Sequence, residues 1–138
     1  MTGFSMNMKP LKRILIIEDN QSFRKMLKMR LESQQFQTIV AADGLQGLDM
    51  ARREMPDLII TDLMLPGLDG HKICRMLKYD KKYAHIPVIM LTSRDLDEDE
   101  ELAKKCGADA FIVKTTRAEI ILDVISHLLE RKESSDNQ

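Results

Sequence analysis

Residues 13–20 read RILIIEDN. Ile14, Leu15, Ile16 and Ile17 form an unbroken apolar run, and Glu18 and Asp19 follow it directly. On a pleated strand neighbouring side chains point to opposite faces, so four aliphatic residues in succession describe a strand buried on both sides. That is the pattern of a parallel sheet covered by helices. The two adjacent carboxylates at its exit repel one another, and something elsewhere in the chain has to offset their charge.

Four further apolar runs share this character: TIVAA (38–42), LIIT (58–61), VIML (88–91) and AFIV (110–113). LIIT and VIML are as continuous as the first run, whereas TIVAA is weaker and suits a sheet edge. Between the runs the apolar spacing changes to that of a helix. Phe23, Met26, Leu27 and Leu31 make one stripe. Ile73, Cys74 and Leu77 make another, and Ile120, Ile121, Val124, Leu128 and Leu129 a third. Cys106-Gly107 has the form of a helix end, and the 10 methionines fall mostly on these stripes or near the N-terminus, with core filling expected rather than metal binding. Strand and helix alternating five times predict an α/β fold, a doubly wound parallel sheet with right-handed crossovers and helices on both faces. In such sheets ligands bind beyond the carboxyl ends of the strands.

The residues at those ends are chemically distinctive. The first strand ends in Glu18-Asp19, the third in Thr61-Asp62, the fourth in Thr92-Ser93 and the fifth in Lys114. Three carboxylates meeting on hydrophobic walls need a cation between them, and a hard divalent ion such as Mg²⁺ suits all-oxygen donors. Mg²⁺ keeps several coordination positions for water or phosphate oxygens, and a lysine opposite it supplies a second positive pole. A carboxylate between the two is suited to accepting a phosphoryl group.

Composition narrows the classes. A chain of 138 residues suits one domain, and a formal charge of −1 gives no basic field for nucleic acid or an anionic membrane surface. No apolar run approaches the roughly 20 residues that span a bilayer, and residues 1–10 have no signal-peptide pattern, so a cytoplasmic protein is expected. Cys74 and Cys106 stand alone in sequence and read as reduced core residues. His71, His85 and His127 lack ligand spacing. DLDEDEE (95–101) reads as a solvated helix N-terminus, favoured by the helix dipole.

The segments EDN, TDLMLPGLDG, VIMLTS and GADAFIVK, in this order and each ending its own strand, resemble the receiver domain of two-component response regulators. The resemblance covers residues 11–131, with residues 1–10 and 132–138 expected as loose tails. The spacings agree, with 30 residues from Asp62 to Thr92 and 52 from Asp62 to Lys114. It implies a flavodoxin-like sheet in the order 2-1-3-4-5. It further implies that Asp62 is the phosphoacceptor, and that Mg²⁺ is held by Glu18, Asp19, Asp62 and the Met64 backbone carbonyl. Thr92 is then the hydroxyl that closes on the phosphoryl group, Lys114 its cationic partner and Phe111 the aromatic switch. The implied donor is a sensor histidine kinase or histidine phosphotransfer protein. The output is a partner-binding face made by the fourth helix, fifth strand and fifth helix.

The sequence departs from the family in one place, where Thr115 stands in the position after the lysine usually taken by a proline in a cis peptide. A cis bond before a non-proline residue costs about 2.5–4 kcal/mol, so a trans bond is expected, with Lys114 still aimed at Asp62 because the strand pleat sets its direction. The reading is a stand-alone, chemotaxis-regulator-like receiver without an output domain, and not an enzyme beyond its own phosphorylation and dephosphorylation. Two alternatives are a Mg²⁺-dependent phosphotransferase or phosphatase with an aspartyl-phosphate intermediate, and a phosphorylation-independent interaction module on the same fold.

Overall fold

A computed structural model describes residues 10–94 and 96–136. The alternation of apolar runs and amphipathic stripes becomes β1 (Arg13–Ile17), α1 (Gln21–Ser33), β2 (Gln37–Ala41), α2 (Gly44–Glu54) and β3 (Leu58–Asp62). These are followed by α3 (Gly70–Lys78), β4 (Val88–Thr92), α4 (Asp97–Lys105), β5 (Ala110–Val113) and α5 (Ala118–Asp136). The strands form one parallel sheet in the order β2-β1-β3-β4-β5, the expected topology.

Alternate strand residues divide the interior into two cores. Ile14, Ile16, Leu58, Ile60, Ile89 and Leu91 face α1 and α5, where Leu27, Leu31, Ile121, Ile125 and Leu128 meet them. Leu15, Ile17, Ile59, Val88 and Met90 face the other layer, packing with Leu48, Ala51, Ile73, Cys74 and Ala103 of α2, α3 and α4. β3 and β4 are buried at every position, whereas β2, at the edge, is buried only at Ala41. This is why TIVAA carries the weakest apolar signal of the five.

Two expectations need correction. The helix after β5 continues to Asp136, so residues 132–136 are the last turns of α5 rather than a loose tail. Pro10 is exposed and outside any element, and residues 1–9 and 137–138, the rest of the two expected tails, lie outside the described residues. Among the described residues, Met26, Met29, Met55, Met64 and Met76 are exposed and do not fill the core, whereas Met90 is fully buried and Met50 packs against the core. Met26 and Ile120 fall at the rims of their stripes, where helical rotation carries them out of the contact with the sheet. Cys74 and Cys106 are buried free thiols as expected, with the Cys74 Sγ donating to the Cys106 carbonyl at 3.4 Å.

Candidate acidic site at the strand ends

The acidic pair sits in the turn from β1 to α1, which is held from several sides. Asn20 caps α1, its Oδ1 accepting from the Phe23 amide at 2.9 Å. The Asn20 amide donates to Glu18 Oε2 at 3.1 Å, and the Arg24 guanidinium donates to the Glu18 carbonyl at 2.8 Å. Glu18 is fully buried and turned inward, while Asp19 is exposed at the mouth.

Asp62, the last residue of β3, is 8% exposed. Two glycines fix the loop that follows it. A Cβ on Gly70, at the start of α3, would overlap the Asp62 carbonyl oxygen, and one on Gly44 would overlap that of Leu68. These approaches hold the loop close over the strand end. Gly67 turns the chain within it at a φ of 83°, a conformation that favours glycine. The Met64 amide approaches Asp62 Oδ1 at 3.4 Å, placing that stretch of backbone beside the carboxylate.

Carboxylate oxygens of Glu18, Asp19 and Asp62 lie within 4.8 Å of one another, the sole such cluster of metal-ligating side chains among the described residues. Lys114 reaches them from the end of β5. Its amide donates to the Thr92 carbonyl at 2.7 Å, extending the β4–β5 pairing by one residue and fixing the side chain's direction. The ammonium lies 2.8 Å from Asp62 Oδ2 and pairs with Glu18 Oε1. It also stands 4.9 Å from the centre of the Phe23 ring, close enough for a cation–π contact. No peptide bond among the described residues is cis, so Lys114-Thr115 is trans, and the ammonium keeps its aim at Asp62.

The electrostatics show a site short of positive charge. Burial pushes the Glu18 carboxyl above its ordinary value; the hydrogen bond from Lys114 offsets this only in part, and the Asp62 charge adds to it. Burial alone would lower Lys114, but its hydrogen bonds to Asp62 and Glu18, together with the negative charges of both, outweigh that and hold the ammonium above its usual value. One ammonium therefore serves two carboxylates, with a third beside them. The donor set is all oxygen, clustered and under-neutralised, which fits a hard divalent cation.

Thr92 and Phe111 stand differently from these four. Thr92 is buried at the end of β4, but its hydroxyl donates to Asp99 Oδ2 at 3.2 Å. Phe111 is half-buried and pairs with Met90 across β4–β5 while Val113 pairs with Thr92, so Phe111 and Thr92 lie on the same face of the sheet. Asp99 corrects a further expectation: it is 4% exposed, and so not part of a solvated helix start. Its spacing to Ala103 and Cys106, both buried and both beyond the acidic run, is that of an inward helix face and is visible in the sequence. The sequence places Phe23 only on the α1 stripe, since nothing local indicates that a lysine from the end of β5 lies over it.

An open five-stranded parallel sheet in the order 2-1-3-4-5, with a carboxylate cluster and a lysine at its carboxyl edge, defines a doubly wound α/β domain of flavodoxin-like topology. The model of the response regulator receiver domain family matches residues 14–126, and the chain belongs to that family. It is 36% identical over 126 residues to the transcriptional regulatory protein AfsQ1 of Streptomyces coelicolor, covering 90% of this chain and 55% of AfsQ1. It is 35% identical over 118 residues to the polar-differentiation response regulator DivK of Brucella ovis, covering 86% of this chain and 96% of DivK. The chain thus spans about half the length of AfsQ1 and nearly all of DivK. Among solved structures, a receiver domain protein from Methanospirillum hungatei superposes with a TM-score of 0.85 at 28% identity, covering 91% of this chain and 99% of that one. The receiver domain of a histidine kinase from Syntrophus aciditrophicus gives 0.81 at 34% identity, covering 86% and 90%.

Proposed function

We propose that residues 11–131 act as a phosphoacceptor switch in a two-component phosphorelay, taking a phosphoryl group onto Asp62. The observation that carries this reading is the Asp62 carboxylate set between a lysine ammonium and two further carboxylates. An Asp62 oxygen attacks phosphorus in line as the donor's phosphorus–nitrogen bond breaks, and the imidazole leaves with the bonding electron pair. The product is an acyl phosphate, whose hydrolysis resets the signal.

Asp19 and Asp62, with Glu18 behind them and the Met64 carbonyl alongside, are the residues that would hold Mg²⁺. When bound, Mg²⁺ supplies positive charge that offsets repulsion between Asp62 and the incoming phosphate. Lys114 holds an Asp62 oxygen in the resting site and serves as the cation for the phosphoryl oxygens afterwards. Thr92 donates its hydroxyl to a phosphoryl oxygen, and Phe111 follows it inward. Phe111, Thr116, Ile120 and Val124 line a shallow groove on the α4–β5–α5 face, the surface we assign to a downstream partner. A histidine kinase or histidine phosphotransfer protein is the donor. No helix among the described residues is long and apolar enough to cross a membrane, in keeping with a cytoplasmic site of action. The ammonium keeps its contact with Asp62 ahead of a trans bond, which supports the phosphoacceptor reading over a phosphorylation-independent module.

The test is incubation with acetyl phosphate and Mg²⁺ followed by intact-mass spectrometry. The wild type gains one phosphoryl group, Asp62→Asn gains none, and acetyl phosphate is consumed no faster than phospho-Asp62 forms and hydrolyses. Labelling of Asp62→Asn at the wild-type rate would falsify the assignment.

A further inference from the structure

We propose that Asp99 is a positioning residue that holds the Thr92 hydroxyl away from the acidic site until that site carries a phosphoryl group. The inference rests on the reading of Asp62 and Thr92 given above and adds a resting-state restraint to it. A threonine hydroxyl has one proton to donate. Here it goes to Asp99 Oδ2 at 3.2 Å, while the hydroxyl oxygen accepts from the Arg94 amide at 3.1 Å. The other carboxylate oxygen, Asp99 Oδ1, takes the Arg94 guanidinium at 3.1 Å. Thr92, Arg94 and Asp99 thus tie the end of β4 to the first turn of α4.

Burial makes this tie consequential. Asp99 is 4% exposed, so its carboxylate cannot replace a lost donor freely with water. The Asp97, Glu98 and Glu100 side chains of the same turn are exposed and could interact with the helix dipole from solvent. An inward carboxylate is not needed for capping, and its partner is the very hydroxyl the switch requires. Thr92 cannot donate to Asp99 and to a phosphoryl oxygen on Asp62 at once. The site therefore has a latched arrangement, stabilised by Asp99, and a closed arrangement in which Asp99 has lost that donor. Closing requires the hydroxyl to leave α4, which links the chemistry at Asp62 to the start of that helix. Any change that destabilises only the latched arrangement raises apparent affinity for a phosphoryl analogue by the same factor by which it shifts the equilibrium.

The experiment measures beryllofluoride binding in the presence of Mg²⁺ for Asp99→Ala in two backgrounds, wild type and Thr92→Val. With Thr92 present, Asp99→Ala tightens apparent binding on the order of 3–10-fold, the range of a modest coupling between sites. In the Thr92→Val background the same substitution leaves binding unchanged, because there is no hydroxyl to release. Asp99→Asn keeps an acceptor for Thr92 but not the charge that holds Arg94; it gives a smaller tightening and serves as the variant if Asp99→Ala does not fold. A ligand-free measurement accompanies these: three-bond couplings to the Thr92 methyl report one χ1 rotamer in the wild type and averaging in Asp99→Ala. Equal tightening in both backgrounds would show that Asp99 acts through the fold and would overturn the proposal, as would unchanged affinity with Thr92 present. A wild type that takes up no beryllofluoride overturns the phosphoacceptor reading instead. In that case a single Thr92 rotamer retained in Asp99→Ala sinks the latch on its own.

Discussion

Glu18 and Lys114 show how individual side chains carry the electrostatics of this domain. The Glu18 carboxyl is raised chiefly by burial, so the folded protein binds its proton more tightly than the unfolded chain does. Its contribution to stability is present at pH below its unfolded value, near 4.5, and is lost as pH rises through the raised folded value. Glu18→Gln is thus expected to flatten that decline and raise the metal-free melting temperature at pH 7 by about 2–4 °C, equivalent to about 1 kcal/mol. Melting curves in a chelator from pH 4 to pH 8 test this, and identical slopes for both proteins would rule it out. Lys114 works in the opposite pH range. Its stabilisation is complete below 10.5 and disappears as pH climbs through its raised folded value. Lys114→Met leaves Glu18 and Asp62 without their ammonium, and a loss of about 3 kcal/mol is expected, read as a shift in the urea midpoint at pH 7. A change below the error of the denaturation curve would mean that water compensates both carboxylates.

Among the elements, the ends of the helices decide how the strand ends are presented. Gly70 opens α3 with no room for a Cβ against the Asp62 carbonyl. Gly70→Ala must displace either the helix start or the end of β3, with an expected cost of about 3 kcal/mol and slower phosphorylation of Asp62. Both are measurable on one sample, by denaturation and by labelling rate; unchanged labelling would show that the displacement is taken up by α3 alone. Asp43 provides a contrast, capping α2 through the Gln46 amide at 2.9 Å and not belonging to the acidic cluster. Asp43→Ala is expected to cost about 1 kcal/mol without changing the labelling rate. The strands were legible because burial on both faces leaves an unbroken apolar run, and the helices because burial on one face leaves a stripe. The exposed Met26 and the extension of α5 to Asp136 were not legible, since the rim of a stripe and the point of fraying depend on what lies alongside.

For the molecule as a whole, the clustered carboxylates link folding to metal. A cation that binds the folded site alone stabilises it by mass action, by about 2.7 kcal/mol at a concentration 100-fold above its dissociation constant. Mg²⁺ is therefore expected to raise the melting temperature of the wild type, and EDTA to reverse the rise. Asp19→Asn should melt no lower than wild type without metal and respond less to it. An equal response to Mg²⁺ in both would place the ion elsewhere. The order of apolar runs, read with the rule that parallel crossovers are right-handed and short, was enough to predict a doubly wound parallel sheet and to bring Glu18, Asp19, Asp62 and Lys114 to one edge of it. The order of its strands was implied by the family resemblance. Strand ends are positions in a pattern, and a pattern along the chain records them. The partners of the polar atoms are another matter. That Lys114 pairs with Glu18 as well as Asp62 and lies over Phe23, and that Thr92 gives its proton to Asp99, depends on distances between side chains of separate elements. Periodicity reports which face of an element is buried, but a hydrogen bond is settled within about 3 Å by how two buried faces meet, and that is set only when the layers pack.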